Sequence, residues 1–317
     1  MAKKSRERKK REKQRRKLRI VADDVGNGTL WREGNVHDAP PELTPDHSDE
    51  LPSPLVTEKA MRELFGGGGL FGRRDRRSQA QDLAFEGMDT GDPEKSARLC
   101  AKALDLDPNC VDAFVHLAQL TFETRAELIE QIRRAVEIGE RGLGGAKYFK
   151  ENRGYFWGLL ETRPYMRARA FLAELLVEDG QTAEAIGEYE ELLKLNPNDN
   201  QGLRYPLLGL YLAAGNLDGV RRLFKEYEDE GSAMFAWGLV LERFLDDDED
   251  GAAAALKEAR GVNKHVEKYL TGKKRRPKRL PGYYGFGDEN EAVICVDALW
   301  TAWKRNPKAV KWLKQAG

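Results

Sequence analysis

The sequence predicts an all-α fold, a solenoid of stacked helical hairpins behind a disordered basic N-terminal tail. Helical periodicity runs from about residue 78 almost to the end, broken by Gly and Pro, and strand signals are absent. Turn residues recur at a constant interval, the mark of a repeat array. Charge is divided unevenly along the chain, which separates a tail from a body.

Composition suits a folded body of one or two domains: 317 residues, 40% hydrophobic and 33% charged. Mean hydropathy is negative, and no apolar run approaches the roughly 18 residues of a membrane span. The basic N-terminus has no apolar segment behind it, which argues against a secretory leader. Cys100, Cys110 and Cys295 are too few and too scattered for a disulfide framework or a metal knuckle. They are expected as small buried hydrophobes in a reducing, cytoplasmic setting.

Residues 1–20, MAKKSRERKKREKQRRKLRI, hold twelve Lys and Arg against Glu7 and Glu12, a local charge of +10. The whole chain is neutral, so the remainder carries −10. Residues 21–77, rich in Pro, Asp, Glu and Gly, read as a disordered linker. Within it EKAMRELF has the pattern of a short helix, ended by Gly66 to Gly69.

The repeat domain is expected over residues 78–314. Gly180, Gly215 and Asp250 lie 35 residues apart in turns between helices, and Gly91 belongs to the same set. The helix after each turn carries a small residue where its partner packs (Ala185, Val220, Ala255), and large residues follow at Tyr189 and Phe224. Pro108 and Pro197 close second helices, and Leu172-Ala173 supply the large-then-small pair of a first helix. These positions match the tetratricopeptide repeat, in which neither helix buries its stripe alone and hairpins must stack.

One repeat beyond Gly91 predicts a break near Arg125, but the next turn, Gly180, comes about 20 residues late. The surplus is an aromatic insertion at about 143–163, whose Tyr155, Phe156 and Trp157 are expected to plug the junction between repeat blocks. Thr162 is a candidate N-cap for the following helix, and Pro164 suits its first turn. Past residue 260, VNKHVEKYL reads as a helix and TGKKRRPKRLPGYYGFGD as a loop. A final hairpin with Val293, Val296, Leu299, Trp300 and Trp303 on its apolar side is expected to cap the array.

Four segments, FWGLLETRPYMRA, LLKLNPNDNQGLRY, VNKHVEKYL and GDENEAV, go beyond the generic repeat and occur in that order. Together they resemble the soluble part of the suppressor of tumorigenicity seven family and its bacterial tetratricopeptide relatives, over about residues 80–313. The resemblance implies an all-helical repeat fold without enzymatic chemistry, and it carries over no catalytic residue. The chain lacks the transmembrane segments of the animal members and reads NKHVEKYLTG where the family pattern is NPHVPAYLLG.

Chemistry-bearing residues are sparse. His37, His47, His116 and His265 have no metal-ligand partner at i+3 or i+4, and His116 is expected between helices rather than as a general base. Asp246 to Asp250 lack the spacing of a calcium loop, and the GGGG run lacks the Lys-Ser/Thr of a phosphate loop. The rings in residues 282–287 are expected to pack on the last repeat. No nucleophile–base–acid set emerges, so no catalytic residue, cofactor or metal is assigned.

Outward positions on the first helices line the groove of such an array, which makes Arg167, Glu174, Glu178 and Tyr205 candidate partner-binding residues. Gly209 stands where a carboxylate clamp would need a polar side chain. The leading function is a non-enzymatic scaffold that binds a protein segment in this groove, with no membrane association. The alternative is association with nucleic acid or the ribosome through the tail. Lys3, Lys4, Arg6, Arg8, Lys9, Lys10 and Arg11 would neutralise phosphates, and the cluster at 273–279 would add to that surface. A third and weaker class is an enzyme using the insertion and the 282–288 loop as a lid.

Overall fold

The computed structural model describes residues 58–62 and 75–316, and every regular element among them is helical. The basic tail and Gly66 to Gly69 lie outside the described residues. The chain divides into two compact units at Pro197 and Asn198.

The first unit holds three hairpins: α1 (Arg76–Asp89) with α2 (Pro93–Leu106), α3 (Val111–Thr121) with α4 (Arg125–Leu143), and, after α5 (Gly145–Asn152) and a 3-10 turn (Phe156–Gly158), α6 (Arg163–Glu178) with α7 (Thr182–Leu195). First helices touch in sequence, α1 with α3 and α3 with α6, so the hairpins stack. They approach closely because the facing residues are small: Ala80, Ala84, Ala97, Cys100, Ala103 and Ala113 share one buried cluster. Local chemistry sets the helix ends. Asp92 caps α2 ahead of Pro93, and Thr124 with Glu127 forms a reciprocal capping box on α4. Helix α4 therefore begins at Arg125, where the repeat interval puts a break.

The insertion is not a plug of three rings. Phe156 is fully buried against Phe149, Tyr165 and Tyr148, with centroids 4.8, 6.3 and 6.2 Å away. Tyr155 faces solvent at 75% exposure, and Trp157 is half-buried with the Arg163 guanidinium 5.2 Å from its ring. A tight 3-10 turn sends consecutive side chains in different directions, so one ring goes in and its neighbours do not. Thr162 does occupy the N-cap position of α6, with Pro164 in the first turn. Its hydroxyl, however, turns back and donates to the carbonyls of Phe156 and Leu159 instead of capping. The Gly154 amide donates to the Leu195 carbonyl at 3.1 Å, which ties the insertion to the end of α7.

The second unit contains α8 (Arg204–Ala214) with α9 (Leu217–Glu226) and α10 (Ala233–Leu245) with α11 (Glu249–Val262), then α12 (Val266–Leu270), α13 (Glu289–Arg305) and α14 (Pro307–Gln315). Gly215 ends α8 in the left-handed conformation at φ +70°, as Gly180 does after α6 at +83°. The next turn comes three residues before the 35-residue interval: Asp247 has φ +58°, Asp248 caps α11, and Asp250 is already helical. The C-terminal hairpin, expected at the end of the array, lies instead across the first helices: α13 packs on both α8 and α10. Val296, Leu299 and Trp303 form its buried side, and Gly209 lies against the backbone of Ala298.

Candidate partner-binding surfaces

In the first unit a polar rail joins the first helices. Gln81 of α1 donates to the buried Asp112 of α3 at 2.7 Å, and Asp112 accepts Nε and Nη2 of Arg167 of α6 at 3.1 and 2.5 Å. The planar guanidinium fork matches a carboxylate in a way that satisfies both oxygens. The other edge of Arg167 is taken by Glu58, only 1% exposed, at 2.5 Å. Residues 58–62 form a helical turn seated on this face. Arg62 donates to the Leu160 carbonyl at 2.6 Å and pairs with Glu58 at 3.0 Å, while Arg163 reaches the Met61 sulfur at 3.8 Å. Burial opposes the charge of Arg167, but the two carboxylates outweigh it and hold the guanidinium above its ordinary pKa. Arg167, expected as an open contact, already holds a segment of its own chain.

The other expected contacts sit differently. Glu174 is exposed on α6, one turn before Glu178. Glu178 pairs with Arg125 at 3.1 Å, and Arg125 also donates to the Glu178 carbonyl, so this residue ties the end of α6 to the start of α4. Tyr205, in the second unit, is half-buried; its hydroxyl donates to Glu230 at 3.1 Å and its ring lies 4.4 Å from the Arg204 guanidinium. Arg204 bridges Glu230 and the buried Asp199, at 2.7 and 2.9 Å. Lys3, Lys4, Arg6, Arg8, Lys9, Lys10 and Arg11 lie outside the described residues.

The motifs beyond the generic repeat form polar junctions. FWGLLETRPYMRA supplies Leu160, Arg163 and Arg167 to the seat of residues 58–62, and LLKLNPNDNQGLRY supplies Asp199, Arg204 and Tyr205. VNKHVEKYL and GDENEAV meet each other: Asn263 Nδ2 donates to Glu291 at 2.9 Å and to the Asp288 carbonyl at 2.8 Å. Glu291 is fully buried, and its carboxylate also accepts the amides of Ala233 and Gly287, at 2.9 and 2.7 Å. It thereby satisfies an orphan N–H at the start of α10 from the first turn of α13, where two helix N-termini favour negative charge. Glu291→Gln turns one acceptor oxygen into an amino group facing donors. The expected loss is about 2 kcal/mol, read as a lower urea midpoint at unchanged slope.

The aromatic loop departs from expectation. Two of its three rings do not pack on the last repeat: Tyr283 and Phe286 are 68% and 78% exposed, while Tyr284 is 38% exposed. The Gly285 amide donates to Asp288 and the Gly287 amide to Glu291, so the loop is anchored by its backbone while Tyr283 and Phe286 are left outside. An open cleft of about 600 Å³ is lined by Phe224, Tyr227 and Phe235, with Arg221 among its residues. Arg221 is committed to Glu242 and Asp246, at 2.7 and 2.5 Å. The cleft offers ring surface.

His116 is an interhelix residue. The Ser96 hydroxyl donates to the Gly87 carbonyl at 2.7 Å, so it accepts from His116 Nε2 at 2.9 Å, and burial pulls the imidazole pKa down. All three cysteines are buried, and desolvation pushes the Cys100 and Cys110 thiols up to about 12. No helix among the described residues is long and apolar enough to cross a membrane.

Paired helices stacked through small residues define a helical-repeat protein. Residues 176–231, from the end of α6 past α9, match the tetratricopeptide repeat family. The chain thus carries a tetratricopeptide repeat, and repeats of this class are in general protein–protein interaction modules. No curated protein matches the chain.

Proposed function

We propose that the protein is a non-catalytic scaffold that binds a segment of a partner protein on the first-helix face of α1, α3 and α6, centred on Arg167. The observation that carries this reading is the seat of Glu58: a helical turn distant in sequence already occupies the face through a buried carboxylate. A partner presenting an acidic residue on a short helix makes the same bonds and takes its place. Glu174 lies two turns further along α6, and Tyr205, in the second unit, is a separate candidate contact. The resemblance to the suppressor of tumorigenicity seven family agrees with binding rather than catalysis, and a reducing cytoplasm is the setting proposed.

Affinity capture with the full chain tests it. Glu58→Gln weakens the internal occupant without opening a cavity, so partner recovery is expected to rise. Arg167→Lys keeps the charge but loses the fork, so recovery is expected to fall. Equal recovery from both variants and the unaltered protein, with melting temperatures retained, rejects the site. The charge of +10 over residues 1–20 favours a second reading, binding to nucleic acid or the ribosome through Lys3, Lys4, Arg6, Arg8, Lys9, Lys10 and Arg11. It requires association that weakens steeply with salt.

A further inference from the structure

We infer that the loop at 273–286 is a binding surface for single-stranded nucleic acid, its rings stacking on bases and its free cations meeting phosphates. The loop is held at its base. Lys274 pairs with Glu289, the Lys274 amide donates to the Lys268 carbonyl at 2.7 Å, and Arg276 pairs with Asp297 at 3.2 Å while lying 4.1 Å from the Trp300 ring. These contacts consume two of the six cations and fix the loop to α13. Lys273, Arg275, Lys278 and Arg279 are exposed and carry no ion pair among the described residues. Tyr283 and Phe286, four and seven residues past Arg279 in the same loop, stand out into solvent. Pro277 and Pro281 narrow the conformations of the segment, so less entropy is lost when it engages a ligand.

Charge and ring surface together select the ligand. Water disfavours two large rings on a loop tip, and four unpaired cations disfavour each other; a strand of alternating phosphates and flat bases relieves both. Duplex is the poorer fit, because its bases are stacked away and the loop offers no helix or strand to enter a groove. A lipid surface is also the poorer fit: the segment has one aliphatic residue, Leu280, and no amphipathic helix. This inference stands apart from the scaffold reading. It is also separable from the tail, since residues 1–20 contain no Phe, Tyr or Trp.

The test is anisotropy of a labelled oligouridine of about 20 nucleotides with the full chain, over a range of salt. Its duplex counterpart and vesicles of phosphatidylcholine and phosphatidylserine in equal parts serve as competitors. Tyr283→Ala with Phe286→Ala is expected to weaken oligouridine binding by about tenfold or more with the salt slope unchanged. Changing Lys273, Arg275, Lys278 and Arg279 to Gln is expected to reduce that slope by about 3. All six side chains are exposed, so melting should not move. An oligouridine affinity indifferent to the ring substitutions overturns the proposal. So does stronger competition by the duplex or the vesicles than by unlabelled oligouridine.

Discussion

Replacing Phe156 with alanine is expected to destabilise the protein by about 3–5 kcal/mol, the largest loss for any side chain of the insertion. The ring is wholly buried and touches three others, so its removal forfeits transfer free energy and leaves a cavity that Phe149 and Tyr165 cannot both fill. Its own carbonyl anchors the hydroxyl of the fully buried Thr162 at the start of α6. A shift there is passed to Arg163 and Arg167, which hold residues 58–62. Trp157→Ala removes a half-buried ring and is expected to cost about 1–2 kcal/mol. Tyr155→Ala should stay within about 0.5 kcal/mol, since that ring is in solvent. Urea denaturation of the three variants checks the order. A Trp157→Ala loss exceeding that of Phe156→Ala would refute the packing assigned to the insertion.

Repeat periodicity reports what every hairpin shares, and that part of the fold was legible. Small residues at Ala185, Val220 and Ala255, left-handed glycines at 180 and 215, and a break before Arg125 are local necessities of stacking two helices. What periodicity does not encode is contact between distant segments. Arg167 was identified as facing the groove from its place on a first helix; that Glu58 would fill it depends on residues 109 positions away. EKAMRELF carried a helical pattern but no sign of where it would dock. Direction within a 3-10 turn is equally hidden: Tyr155, Phe156 and Trp157 are consecutive large rings, and the turn sends only the least polar of them, Phe156, into the core. The sequence points to rings packed on the last repeat, but Tyr283 and Phe286 are exposed. A signal is present in the six cations at 273–279 that precede them. Glu291 carries only a local signature: a glutamate three residues after Asp288, a capping residue, suits the first turn of a helix, and nothing in that pattern shows that it reaches Ala233.

Gly209→Ala is expected to cost about 3 kcal/mol or more, opposite in sign to the usual effect of that change inside a helix. Glycine in a helix interior is worse than alanine by up to about 1 kcal/mol, because it has more freedom to lose. At Gly209 that gain is overridden. A β-carbon there would fall onto the Ala298 carbonyl oxygen and lie 3.1 Å from its carbon, and these are backbone atoms of α13 that no rotamer change can move. Either α8 and α13 separate, which uncovers Leu299 and Leu208, or α13 leaves the face. Gly187→Ala is the matched control: Gly187 lies within α7, its β-carbon would meet nothing within 4 Å, and that change should stabilise by about 0.5–1 kcal/mol. Urea midpoints of the two variants, with hydrogen exchange followed along α13, separate the outcomes. Loss of protection in α13 for Gly209→Ala alone would show that this helix seals the first-helix face of α8 and α10. A stabilised Gly209→Ala would mean that the face lies open, and would return Tyr205 and its neighbours to the set of groove contacts available to a partner.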